Sequence, residues 1–223
     1  LADRRRISGV LVRWTGQYTV DLDMYVAWPK KPVIGTREWW HTQRGPANAH
    51  FKDGREYQLA AHVHNTPGNG GFTVLLYPRG RYEVPPTYRS SKDGKTVTVK
   101  IGARTDTLFC SRQPITATAD GVTFAGTVGV VKQHPDYTAL VLCAPGEIHV
   151  KGLALKSAAP LAVRIAGDTL TGAAMGKGDA LLTFPKAWAG RTLLLNGKPA
   201  GAIGADGRVS VELPGEGAML AVK

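Results

Sequence analysis

The chain has 223 residues, 43% of them hydrophobic and 20% charged, which is enough apolar content to build a core and excludes a disordered chain. No apolar run reaches the ~18–20 residues that span a bilayer as a helix, so no membrane partner is expected. The formal net charge is +11, which points to a polyanionic partner, although basic chains are also common for solubility alone.

The charge is unevenly placed. Residues 1–112 hold 18 Lys and Arg against 9 Asp and Glu, a balance of +9, whereas residues 113–223 hold 10 against 8, a balance of +2. The chain opens on Leu1 rather than Met, which reads as a processed or excised piece.

Nearly every segment alternates with period two, and none keeps a helical period for three turns. ISGVLVRW comes first. YTVDLDMYVAW follows, with Val20, Leu22, Met24, Val26 and Trp28 on one face and Asp21 and Asp23 on the other. Two carboxylates at that spacing can bind a cation, but acids that face solvent are the commoner case. Pro29 and Pro32 then end the strand.

The stretch over 37–65, REWWHTQRGPANAHFKDGREYQLAAHVHN, holds four of the six histidines: His41, His50, His62 and His64. His62 and His64 stand two apart on an expected strand and so share a face. Such a pair, with Asp53 as a carboxylate partner, is a candidate site for a divalent cation, zinc or calcium. The plainer reading is that these imidazoles are simply solvated.

TPGNGG makes a turn into GFTVLLYPRGRYEV, and SKDGK makes a hairpin turn into TVTVKIGARTDTLFC. Basic and aromatic residues interleave in YPRGRYEVPPTYR. Aromatic faces stack on pyranose rings as well as on bases, and Arg pairs bidentately with carboxylate or sulfate. Strands continue through PITATADGVTFAGTVGVVK and YTALVLCAPGEIHVKGLALKS. Cys110 and Cys143 end apolar runs, and either they are separate buried thiols or they join neighbouring strands as a disulfide. After residue 157 the segments shorten and become rich in Gly and Ala, with hairpin signals at NGK and ADGR.

These patterns predict an all-β chain: an antiparallel β-sandwich over 1–157, with 158–223 as a smaller C-terminal β subdomain or as outer strands of the same sandwich. Nucleotide-binding loops, a G-x-S-x-G nucleophile turn and H-E-x-x-H are absent from the sequence.

YTVDLDMYVAWP, EWWHTQR, PGNGGFTVLLYPRGR, RTDTLFCSRQPITATADGVTFAGTVGVV and ALVLCAPGEIHVKGLALKS, in that order over residues 9–157, resemble the C-terminal β-sandwich of the heparinase II/III-like polysaccharide lyases, alginate lyase relatives included. The resemblance implies β-elimination on uronic-acid-containing polysaccharide, with the carboxylate neutralised and a base and an acid set around the sugar. It also implies an upstream α-helical toroid that supplies an asparagine, a tyrosine and a histidine, while the sandwich adds one further histidine. His41 in the WWH segment is the match for that residue. Arg37, Trp40, Arg44, Arg55, Arg79, Arg81, Tyr82 and Arg89 are the expected contacts to an acidic polysaccharide, with nucleic acid disfavoured as partner. A secreted, periplasmic or extracellular location follows from such a substrate. The alternative is a non-catalytic carbohydrate-binding module or an extracellular structural module on the same scaffold.

Overall fold

The computed structural model describes residues 5–8, 10–14, 19–42, 55–64 and 71–223; at 5–8, 36–42, 55–62 and 216 the description covers the backbone. The described residues form antiparallel β-structure and one 3-10 turn, Lys186–Trp188. The all-β expectation holds. Among the described residues, no helix is long and apolar enough to cross a membrane. The chain divides into two compact units, Leu1–Glu83 and Val84–Lys223.

In the first unit, β1 (Arg5–Ser8), β2 (Leu11–Trp14), β3 (Val20–Trp28) and β6 (Thr73–Gly80) form a four-stranded sheet in the order β1-β2-β3-β6. β4 (Val33–Thr42) and β5 (Arg55–His64) make a separate two-stranded sheet. The two are joined by side-chain packing: Ile34 and Val63 pack against a core of Val12, Met24 and Val26. Burying such side chains contributes about 1.5–3 kcal/mol each.

The second unit holds β7 (Thr87–Ser90), β8 (Thr96–Ile101), β9 (Arg104–Ala119), β10 (Val122–Gln133), β11 (Thr138–Leu142), β12 (Gly146–Val150), β13 (Leu153–Ser157), β14 (Leu161–Ala166), β15 (Thr169–Thr183), β16 (Thr192–Leu195), β17 (Lys198–Ala202) and β18 (Arg208–Val222). Here the structure departs from a sandwich of two open sheets. β10, β12, β13, β15, β14 and β11 pair in turn, and β11 pairs back onto β10, so six strands close into a barrel with the remaining strands added to it. The expected boundary at 157/158 falls inside this ring, between β13 and β14.

The cause of closure is the length of β10 and β15. The first half of β10 pairs with β12 and its second half with β11. β15 likewise pairs first with β14 and then with β13. Each long strand carries a register shift between its halves, Gly126/Val128 and Ala174/Met175, and such bulges bend a strand and sharpen its twist. Inside the ring lies the main core, with Phe124, Leu140, Ile148, Leu155, Leu161 and Leu182 all 1% exposed or less. Phe124 also stacks on Phe109 of β9, with ring centroids 4.7 Å apart. The β9–β10 hairpin is thus folded over its own base.

Candidate functional site

Asp21 and Asp23 overturn the expectation of solvent-facing acids. They are 6% and 0% exposed, and β3 is covered on both faces along most of its length. Burying a carboxylate is costly unless it is paired, and arginines on the flanking strands do the pairing. Arg13 of β2 lies directly opposite Asp23 and places Nε 3.2 Å from its Oδ2. Arg79 of β6 lies opposite Asp21, with Nη2 3.3 Å from Asp21 Oδ2 and Nε 3.6 Å from Asp23 Oδ1. Arg81 adds Nε 3.3 Å from Asp21 Oδ1, while its backbone N–H donates to the Thr19 carbonyl at 2.7 Å.

Two of the arginines expected to meet polysaccharide therefore bind carboxylates of this chain. The Arg79 side chain is 8% exposed and that of Arg81 31%. Tyr82, next in sequence, is 88% exposed.

Arg37, Trp40 and His41 lie on β4, and Arg55, His62 and His64 on β5. In the β4–β5 register, His41 stands opposite Glu56, Arg37 opposite Ala60, His62 opposite Gly35 and His64 opposite Val33. From Glu56 to His62 is six positions, or about 20 Å along a strand. The backbone thus separates the His41 position from the His62–His64 end of the ribbon. His64 is exposed. Arg44 and Asp53 lie outside the described residues. Among the described residues, no group of three or more His, Cys, Asp or Glu is placed to hold a metal ion.

The cysteines are neither buried nor bonded; both thiols are free and exposed. Cys110 pairs with Val128 on β10, and the Cys143 N–H donates to the Val128 carbonyl at 3.1 Å. The three residues form one row across the sheet. The cysteines are thus two strand spacings apart, about 9–10 Å, beyond the ~7 Å between Cα atoms that a disulfide tolerates.

In the second unit, the folding-over of the β9–β10 hairpin assembles a polar site that no sequence motif announced. Asp120 and Gly121 form the hairpin tip, with φ of 49° and 77°, as an Asp-Gly type I′ turn requires. The bend brings this tip back to β8 and β7. There Asp120 Oδ2 accepts from Thr98 Oγ1 at 2.6 Å, and Oδ1 accepts from Arg89 Nη2 at 2.7 Å. Lys100 Nζ lies 3.4 Å from the same Oδ1. Burial pushes the Asp120 carboxyl upward, but the hydrogen bonds from Thr98 and Arg89 and the charges of Arg89 and Lys100 outweigh it. The group is held below the usual aspartate value.

Beside Asp120 is a depression bordered by four turns: β8–β9, β9–β10, β10–β11 and β12–β13. Lys100, Asp120, Gln133, His134, Thr138 and Lys151 line it. The β10–β11 turn, HPDY, is closed by the His134 N–H donating to the Tyr137 carbonyl at 2.9 Å. Pro135 suits the second position of such a turn. The turn sets the His134 and Tyr137 rings 4.5 Å apart, and the Arg164 guanidinium sits 4.4 Å from the Tyr137 ring centroid. Asp106 Oδ1 lies 2.9 Å from His134 Nε2, which fixes that nitrogen as the donor. This side of the molecule offers ammonium groups, hydroxyls, an amide and an oriented imidazole around one hollow. Of the residues expected from sequence, Arg89 alone among those described belongs to this set, through Asp120. The HPDY turn and the Lys151-Gly152 turn, with φ of 46° and 78°, were the available signals.

A second charged group lies on the barrel wall. Glu147 of β12 accepts from His149 and meets Lys156 Nζ at 3.5 Å. The His149 hydrogen bond is the chief reason its carboxyl is held below the ordinary glutamate value.

No protein-family model matches the chain, and no curated protein matches it.

Proposed function

We propose that this chain is the β-structured part of a polysaccharide lyase of the heparinase II/III-like kind, acting outside the cytoplasm by β-elimination on uronic-acid-containing polysaccharide together with an α-helical toroid. The observation that carries this reading is the match between the segments of the resemblance and the strands. YTVDLDMYVAWP holds β3, EWWHT ends β4, and PGNGGFTVLLYPRGR holds β6. The remaining two segments are the β9–β10 hairpin and the run β11-β12-β13. The net charge of +11 supplies attraction for a polyuronate. In this reading His41 is the catalytic contribution of the chain, while exposed Tyr82 meets the polymer.

A non-catalytic module for the same polysaccharide is favoured by one observation: the β4–β5 register sets the His41 position about 20 Å along the ribbon from His62, so the expected histidines do not gather at one place. The two readings separate by experiment. The protein encoded by the complete gene is incubated with alginate, heparan sulfate and glucuronan, and the ultraviolet absorbance of the unsaturated uronate product is followed. The lyase reading expects product from at least one polymer and its loss in His41→Ala with the β-fold intact. Retention on a polyuronate column with no product from any of the three would overturn the lyase reading in favour of the binding module.

A further inference from the structure

The four-turn depression of the second unit has a lining that selects a chemical class. Lys100 and Lys151 bring two ammonium groups, which a neutral sugar would leave unused. Gln133, Thr105 and Thr138 bring groups that both donate and accept, which a bare anion would leave half used. Asp120 keeps Lys100 in place and is itself neutralised by Arg89, so its presence does not repel an anion. No aromatic ring of Phe, Tyr or Trp lines the hollow, so there is no platform for base stacking. What matches is a compact ring carrying one carboxylate and several hydroxyls.

We propose that this depression binds a single uronate unit of an acidic glycan, its carboxylate on the Lys151 and Lys100 ammonium groups and its hydroxyls on Gln133, Thr105 and Thr138. The inference rests on the polyuronate reading above and adds a place for the polymer on the second unit, Val84–Lys223. Arg89 acts there as a positioning residue, holding Asp120 and through it Lys100.

The test is a titration of the isotopically labelled chain with D-glucuronate, D-glucose and inorganic sulfate, followed by amide chemical shifts. Glucuronate is expected to move the amides at and beside Lys100, Asp120, His134 and Lys151, and glucose at equal concentration to leave them still. Lys151→Asn removes the charge at a position whose φ of 46° asparagine tolerates, and it creates an Asn-Gly turn. Loss of a charge-assisted hydrogen bond is expected to weaken binding about tenfold to a hundredfold. Thr138→Val is the second variant, with a smaller loss expected. Unchanged glucuronate affinity in both variants, or shifts confined to other surfaces, would overturn the site while leaving the lyase reading intact. Sulfate binding as tightly as glucuronate would overturn the sugar assignment. A site that behaves as expected in a protein that yields no elimination product would instead retire the lyase reading alone.

Discussion

Arg79 stands directly opposite Asp21 across β3 and β6, and its guanidinium is divided between the Asp21 and Asp23 carboxylates at 3.3 and 3.6 Å. Asp23 has no exposed surface. Breaking a buried pair from one side strands the other charge, at a cost of about 3–5 kcal/mol. Arg13 and Arg81 still hold one carboxylate each, so Arg79→Met should destabilise the first unit by less than that, read as a lower urea midpoint, and Arg81→Met, a third exposed, by less still. Four of the five tryptophans, Trp14, Trp28, Trp39 and Trp40, lie in this unit, so their fluorescence reports its unfolding. An Arg79→Met protein that unfolds at the wild-type urea concentration would remove the ionic cluster as a source of stability.

The alternation of YTVDLDMYVAW placed the acids on the face away from Met24 and Val26, and that much was legible. Period two says which residues share a face but not whether the face is covered, and here both faces are. Hairpin chemistry read well at ADGV and NGK, where Asp120, Gly121, Asn196 and Gly197 all adopt positive φ. Cys110 illustrates the limit of apolar runs: it follows buried Phe109 along β9 and so points the other way, into solvent. Barrel closure was hidden because it depends on which distant strands meet the two halves of β10 and β15. The turn-bordered depression was hidden for the same reason, since Lys100 comes from the end of β8 and Asp120, His134 and Lys151 from three separate turns.

The depressed Asp120 carboxyl makes part of the second unit's stability depend on pH. Its folded value lies below its unfolded value, so the folded state binds the proton less readily. The stabilisation is fully present above the unfolded aspartate value of about 3.9 and is lost as pH falls through the lower folded value. Asp120→Asn should be less stable than wild type at neutral pH, and the gap should close as the solution is taken below about pH 4. Urea midpoints of the two proteins across pH 2–7 (about five steps) would check this. A gap that is constant with pH would mean that the side chain contributes through its shape and not its charge.

The thiols give a quick check of the sheet. Cys110 and Cys143 are both exposed and sit in one row with Val128 between them. Both should react with a thiol reagent in the native protein, two equivalents per chain, without loss of β-sheet circular dichroism. Mild oxidation should leave the monomer without an internal disulfide, because about 9–10 Å separates the residues across two strand spacings. A Cys110–Cys143 crosslink detected by mass spectrometry in folded protein would contradict the β9-β10-β11 order.

The folded-over hairpin relies on the absence of a side chain at Gly129. A β-carbon there would lie 2.5 Å from Phe124 Cε2 and 3.0 Å from Phe124 Cδ2, with Ile148 Cδ1 at 3.4 Å. Phe124 cannot give way easily, since it is fully buried and stacked on Phe109, the residue paired with Gly129 on β9. Gly129→Ala should therefore cost about 1–3 kcal/mol through overpacking. Phe124→Leu should cost a comparable amount through lost ring volume and stacking. The double variant is expected to lose less than the sum, because the smaller side chain makes room for the new methyl. A coupling of about 0.5 kcal/mol or more would register this in a double-mutant cycle. Trp188, 4% exposed and the only tryptophan in Val84–Lys223, reports the unfolding of this unit. Additive losses would show that the Phe124 ring does not rest on Gly129, and the account of how β10 bends over its own hairpin would fall with it.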